Sequence, residues 1–253
     1  VHEDSIRAEF KQQTGTFAAN PALRSATALG ELSELAPADP GARWLEVACG
    51  AGMIARELSE RVGSVHGVDL TPAMVERGRA EASSAGLENV EFSLGDATAL
   101  EFDAASFDGA ITRFSFHHIP APQRALEEMA RVVRPGGWVV VGDHAANLDR
   151  DAYAWAEEIE RLRDPSHWSC LTPQQLQAMG DGARLELDLE KVVPLELDFK
   201  GWLERSSGGL EAAPLIDRLL AEAPAKSDSF RVVGEGDERR LVLHYMLFRW
   251  HRR

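Results

Sequence analysis

Between residues 44 and 142 short apolar runs alternate with amphipathic ones, and this alternation limits the available folds more than any other feature. The spacing predicts strands over 44–48, 65–69, 90–94, 107–112 and 138–142, separated by helices over 53–61, 72–85 and 122–133. Thr71 before Pro72 reads as an N-cap and first helical position, and Arg134-Pro135-Gly136-Gly137 reads as a helix stop. Strands joined through helices form a parallel sheet with right-handed crossovers. The carboxyl ends of such strands share one edge, where ligands bind. Glu46, Asp69, Asp96, Arg113 and Asp143 all fall at or near strand ends, so they are expected to gather in space.

The flanks follow another pattern. Helices are expected over 4–13 and 22–35, with a break at Asn20-Pro21, and over 150–163. Thr172 and Pro173 open a further short helix. Residues 184–199 alternate as a half-exposed strand, in which Pro194 calls for a bulge or a sheet edge. Two short helices fit 200–222. The apolar strand over 241–250 either lies inside the sheet or pairs across a homodimer. Segments 1–35 and 145–182 read as helical additions over the ligand edge, where Phe17, Trp155 and Trp168 offer apolar enclosure. The chain thus reads as one domain over 1–253. Its parts are N-terminal helices (1–35), a core (40–144), a helical cap (145–182) and completing strands and helices (183–253).

Charge excludes several function classes. With 27 Lys and Arg against 41 Asp and Glu, the net charge of −14 repels phosphate backbones, and no basic run carries interleaved aromatics. Arg252 and Arg253 read as a solvated tail, so no nucleic-acid partner is expected. No apolar run is long enough to span a membrane. The first residues are charged and lack a signal-peptide core, which points to the cytoplasm. Cys49 and Cys170 give neither a disulfide framework nor metal-ligand spacing, and no metal is expected. Cys49 reads as a small buried residue in a tight turn.

That turn carries the strongest chemical signal. In LEVACGAGMIA, residues 45–55, Gly50 and Gly52 leave backbone open to a ligand, because glycine has no Cβ. The pattern runs A-x-G-x-G-x-x-A (Ala48, Gly50, Gly52, Ala55), without the third glycine of a dinucleotide site. Glu46 beside it would repel a pyrophosphate but suits a cation, which disfavours a nicotinamide cofactor. S-adenosylmethionine carries a sulfonium and an ammonium and no phosphate. Asp69, ending the next strand, can accept from both ribose hydroxyls, a device that nicotinamide sites share. Asp96, in Gly95-Asp96-Ala97 after the third strand, can accept from an adenine amine.

The segments LEVACGAG, HGVDLTPAMVERGR, VEFSLGDATAL and FDGAITRFSFHHIPAPQRALEEMARVVRPGGWVVVGDH resemble, in this order, the class I S-adenosylmethionine-dependent methyltransferases. They are most similar to the branch of the ubiquinone and menaquinone methyltransferases and related bacterial small-molecule enzymes. The resemblance covers about residues 43–144, and Ala48 stands where the family has its first glycine. The later DRDAYAWAEEIERLRDPSHWSCLT is similar to a segment of one bacterial subset of that branch.

The resemblance implies a Rossmann-like α/β fold: a seven-stranded, mostly parallel, doubly wound sheet with helical cap segments. It implies that Glu46 and Gly50 hold the methionine end of the cofactor, with Gly52 also among the cofactor-binding residues, and that Asp69 binds the ribose. Leu70 and Met74 would pack on the adenine, with Asp96 and Ala97 at its edge and Arg113 near the methionine carboxylate or the acceptor. The expected reaction is methyl transfer to oxygen or carbon of a small apolar or aromatic metabolite, quinone-like or specialised, leaving S-adenosylhomocysteine. The same motifs also serve an enzyme of this fold that performs a cyclisation or hydroxylation, or a non-catalytic cofactor-binding partner.

Positioning near an activated methyl supplies much of such a rate, and a base of suitable pKa removes the acceptor proton. His144, in Gly-Asp-His, and His118 are the candidates, with Asp143 alongside. The pair His117-His118 matches a His-His-apolar pattern common in the branch whatever the acceptor, and so equally reads as structural. His167 and Trp168 lie in the cap, where the indole could stack on a planar acceptor or pack in the cap's own core.

Overall fold

The structure, a computed structural model, describes residues 2–17 and 26–253. The Asn20-Pro21 break and the side chain of Phe17 lie outside the described residues. Two helices, α1 (His2–Phe17) and α2 (Ala26–Ser33), precede the predicted alternation. The alternation itself is present: β1 (Asp39–Val47), α3 (Met53–Leu58), β2 (Val62–Asp69), α4 (Pro72–Ser84), β3 (Val90–Leu94), β4 (Phe107–Arg113), α5 (Pro122–Val132) and β5 (Val133–His144). There follow α6 (Arg150–Arg163), α7 (Pro173–Gly182), β6 (Leu185–Asp198), α8 (Phe199–Arg205), α9 (Gly209–Ala221), β7 (Phe230–Val233) and β8 (Arg240–Arg252).

The eight strands form one sheet in the order β3-β2-β1-β4-β5-β8-β6, with β7 also paired to β8. The first five are mutually parallel, and β8 runs antiparallel to β5, β6 and β7. Parallel strands covered by helices are apolar on both faces. Trp44, Ile111 and Val140 accordingly enter one core, while their neighbours Leu45, Ala110, Val139 and Val141 enter the other.

Several expectations are corrected. Among the described residues the strand order holds the seven strands expected, and a short eighth, β7, joins them off that order. The extra one, β7, covers the β8 residues 240–243, beyond the 245–251 stretch that β5 pairs, and so shields an edge that would otherwise be open. Residues 134–137 continue β5 instead of only ending a helix, and a register shift against β4 absorbs the turn-like sequence. Thr71 occupies the N-cap of α4 without a side-chain capping bond, and its backbone N–H donates to the Asp69 carboxylate. Thr172, by contrast, forms a full capping box with Gln175. The strand predicted over 241–250 lies inside the sheet, between β5 and β6. Pro194 sits on β6, at the end of the strand order, where its missing N–H breaks no ladder on the open side. Among the described residues no helix is long and apolar enough to cross a membrane.

Candidate active site

The turn after β1 is built from left-handed backbone. Ala48, Gly50 and Gly52 have φ of 51°, 52° and 69°. A Cβ on Gly52 would also strike the ring of Phe92, so that position is closed to other residues twice over. Two carboxylates hold the turn. The Ala55 N–H donates to Glu46 Oε2 at 2.8 Å, and the Gly50 N–H donates to Asp69 Oδ2 at 2.8 Å. Asp69 Oδ1 accepts from the Thr71 N–H at 2.9 Å. The strand-end acids therefore shape the backbone before any ligand arrives.

Both acids are buried, and burial sets their titration. Loss of water pushes Glu46 up to about 8, against the Ala55 amide and Arg56, which pull it down. Burial likewise raises Asp69 despite its backbone donors. A desolvated carboxyl that is protonated near neutrality has an unmet preference for positive charge. Burial also raises the Cys49 thiol, as expected for a packing residue rather than a nucleophile.

A cavity of about 240 Å³ opens on this turn. Its wall brings together Glu46, Gly50, Asp69, Leu70, Asp96, Ala97, Arg113 and His118 from the ends of β1, β2, β3 and β4 and the loops beyond them. Asp96 Oδ1 is committed to the Thr98 N–H and hydroxyl, both at 2.8 Å, which leaves Oδ2 for another donor. The Arg113 guanidinium lies 4.6 Å from the Phe114 ring centre. Burial lowers its pKa, while Tyr245 and Glu46 act the other way.

Three predicted residues are not in that wall. Met74 is fully buried inside α4, Gly52 lies under the turn against Phe92, and His144 is set behind Phe114. Sequence reasoning missed Ile6 and Phe10, which α1 contributes to the wall, and Met53, Phe114 and Ile119. Ile6 and Phe10 stand four residues apart on one helix, which was the available signal.

Past β4 a buried polar cluster fixes the two adjacent histidines. Asp143 Oδ2 accepts from the backbone N–H of Phe116 and of His117, and Oδ1 accepts from the His144 N–H and from His117 Nδ1. Burial disfavours a proton on His117, but the Asp143 charge outweighs it and the His117 pKa is raised. His118 Nδ1 lies 3.0 Å from the Ser166 carbonyl. A carbonyl only accepts, so Nδ1 carries the proton and Nε2 is left as the basic nitrogen. Burial and the neighbouring His117 hold His118 down to about 3, so it is neutral. His144 stacks on His117 at 4.8 Å and is also held neutral by burial. In the cap, His167 Nε2 lies 3.2 Å from both oxygens of Glu157 and its ring is buried, whereas the exposed Trp168 indole meets the His2 ring edge-on at 5.0 Å and lines no part of the cavity. Two sets, His117–Asp143–His144 and Glu157–His167–Cys170, place possible donor atoms within 4.8 Å of one another. Hydrogen bonds already link members within each set.

Comparison with known proteins agrees with this geometry. A model described as a methyltransferase domain matches residues 45–141. The uncharacterized methyltransferase YcgJ of Bacillus subtilis (strain 168) is 34% identical over 170 residues, 67% of this chain and 66% of that protein. The phosphatidylethanolamine N-methyltransferase of Cereibacter sphaeroides is 36% identical over 129 residues, 51% of this chain and 63% of that protein. The demethylmenaquinone methyltransferase of Staphylococcus epidermidis is 42% identical over 103 residues, 40% of this chain and 42% of that protein. The chain thus spans about two fifths to two thirds of the length of these curated relatives. The crystal structure of the Bacillus YcgJ protein superposes with a TM-score of 0.82 at 28% identity, covering 90% of this chain and 99% of that one. Sheet order, glycine turn and matched core agree, and the chain belongs to the class I S-adenosylmethionine-dependent methyltransferases.

Proposed function

We propose that the 240 Å³ cavity takes S-adenosylmethionine and that the chain methylates oxygen or carbon of a small apolar or aromatic metabolite. The observation that carries this reading is Glu46: a buried carboxyl in the cavity wall beside bare glycine backbone, pushed up to about 8 by burial although Arg56 and Arg113 pull it down. The cofactor, when bound, supplies a methyl already activated on a sulfonium. Glu46 and Gly50 hold its charged methionine end, and Asp69 accepts from the ribose hydroxyls. Leu70 packs on the adenine, while Asp96 Oδ2 and the Ala97 backbone receive its edge. The apolar wall of Ile6, Phe10, Phe114 and Ile119 encloses the acceptor and excludes water. His118 Nε2, too weak a base to ionise the acceptor beforehand, takes the proton that methyl transfer itself makes strongly acidic. His144, outside the wall, is assigned no part in the chemistry. The quinone methyltransferase relative supports an aromatic acceptor, and the phospholipid methyltransferase relative indicates that the shared core tolerates others.

The test is incubation with methyl-labelled cofactor and a panel of hydroquinones, phenols and enolisable aromatic ketones. Calorimetry with S-adenosylhomocysteine runs in parallel. Saturable cofactor binding and label in at least one product are expected. Binding without label in any product defeats the methyl-transfer reading, and no binding defeats the site assignment.

A further inference from the structure

Behind the large cavity lies a second chamber of about 30 Å³. Phe10, Phe114 and His118 line both spaces, which makes them neighbours. Phe114 is held between them in left-handed backbone (φ 50°), unusual for a bulky residue. Its ring lies 4.9 Å from that of His144. Arg163, Arg205 and His144 stand around the far side.

Arg163 is fully engaged. It pairs with Glu160 at 3.0 Å, reaches Asp164 at 3.5 Å and donates to the Ser206 hydroxyl at 2.7 Å. Asp164, the one acid in the chamber wall, is committed to Arg163 and to the Ser166 amide and hydroxyl. Arg205 differs. Among the described residues it forms no ion pair or hydrogen bond, and its partly buried side chain lines the chamber. Glu160 and Asp164 support its charge, but burial and the neighbouring Arg163 outweigh them and bring it down to about 9. His144 Nδ1 is likewise buried without a partner. After burial, the strongest influences on His144 all come from basic groups: His117, Arg163, Arg205 and His167. A partly buried guanidinium and a buried imidazole nitrogen without a partner, with further basic groups around them, form a site for an anion.

Size narrows the anion. Each ordered water needs roughly 10–15 Å³ of such space, so a chamber of about 30 Å³ takes two oxygen-sized groups. That matches a carboxylate. A terminal phosphoryl group presents three oxygens and carries more charge.

We propose that this chamber binds the carboxylate of the methyl acceptor, with Arg205 as its principal partner and His144 as a second donor. The ring or chain of the acceptor then extends past Phe114 toward His118. This rests on the methyltransferase reading only for the word acceptor; the anion site stands on its own geometry.

The test uses benzoate, its neutral analogue benzamide, and inorganic phosphate. Each is titrated into the chain with and without saturating S-adenosylhomocysteine, and the melting temperature is followed. Benzoate is expected to stabilise saturably, whereas benzamide and phosphate do not. Arg205→Met is expected to weaken benzoate at least tenfold, the scale of losing a hydrogen bond to a charged group. Arg205→Lys should retain part of the response, and both variants should bind S-adenosylhomocysteine as the parent does, which confirms folding. Equal stabilisation by benzoate and benzamide, no saturable response to benzoate, or an unchanged response in Arg205→Met overturns the anion site. A benzoate response without S-adenosylhomocysteine binding leaves the chamber standing and defeats the cofactor assignment instead.

Discussion

His117 Nδ1 donates to Asp143 Oδ1 at 2.5 Å, and both side chains are buried. Asp143 also collects the amides of Phe116, His117 and His144, so one carboxylate ties the turn after β4 to the end of β5. Removing one member of a buried pair strands the other. Asp143→Ala should therefore lower unfolding free energy by about 3–5 kcal/mol in urea titrations. A loss below about 1 kcal/mol would show that the turn holds itself.

Acid should destabilise the protein through His118. Its folded pKa, about 3, lies below the ordinary 6.5, so the folded state resists a proton that the unfolded chain accepts. The stability His118 contributes is full above pH 6.5 and is lost toward pH 3, at about 1.4 kcal/mol per pH unit. His144 acts with the same sign. His117, with its raised pKa, contributes below 6.5 and loses that contribution as pH rises through its folded value. Glu46 is also raised, and its burial penalty grows as pH climbs from 4.5 toward 8, which partly masks the histidines. The readable quantity is the difference between the parent and His118→Gln across pH 4–6.5, which should show the His118 slope alone. A flat difference contradicts a buried neutral imidazole.

Cofactor binding should release a proton. Glu46, raised to about 8 in the free protein, is largely protonated at pH 7 and must ionise to meet a cation. Calorimetry at pH 7 in two buffers of different ionisation enthalpy should report close to one proton released per S-adenosylmethionine bound. Glu46→Gln should abolish that release and weaken binding at least tenfold, roughly the value of one charged hydrogen bond. Identical heats in the two buffers would remove Glu46 from the cation site.

Loss of His118 separates base catalysis from positioning. His118→Ala should lower turnover about 100-fold, a common scale for a general base, with cofactor affinity within a few-fold of the parent. If turnover also stays within a few-fold, proximity alone carries the reaction. His144→Ala should instead raise KM for a carboxylate-bearing acceptor and leave kcat within a few-fold, because that ring lines the second chamber and not the cavity wall.

Ala48 occupies left-handed backbone at φ 51°, where a Cβ costs roughly 1–2 kcal/mol. Glycine relieves this but adds about 0.4–1 kcal/mol of unfolded-state freedom. Ala48→Gly should therefore gain about 0.5 kcal/mol, and the β-branched Ala48→Val should lose more than about 1 kcal/mol, by urea titration. Stabilisation by valine would contradict this backbone geometry.

Much of this arrangement was legible in the sequence because it is local. Glu46, Asp69, Asp96 and Arg113 meet because each closely precedes or follows the end of a parallel strand, and strand ends are readable from periodicity. Distance in sequence hid the remainder. The sequence placed segment 1–35 over the ligand edge but did not say that Ile6 and Phe10 are the side chains that reach the cavity, and nothing near His144 says that Phe114 stands in front of it. Strand β7 has four residues, too few for a period to register. Arg205 ends a short helix, and only the packed structure sets it beside Arg163 in one chamber wall.

Strand β8 comes latest in sequence among the strands yet lies between β5 and β6. During synthesis, the borders of β5 and β6 therefore stay unzipped until residues 240–252 have emerged. A chain paused before that point presents two sticky ribbons to its neighbours, and chaperone capture is most valuable in that interval.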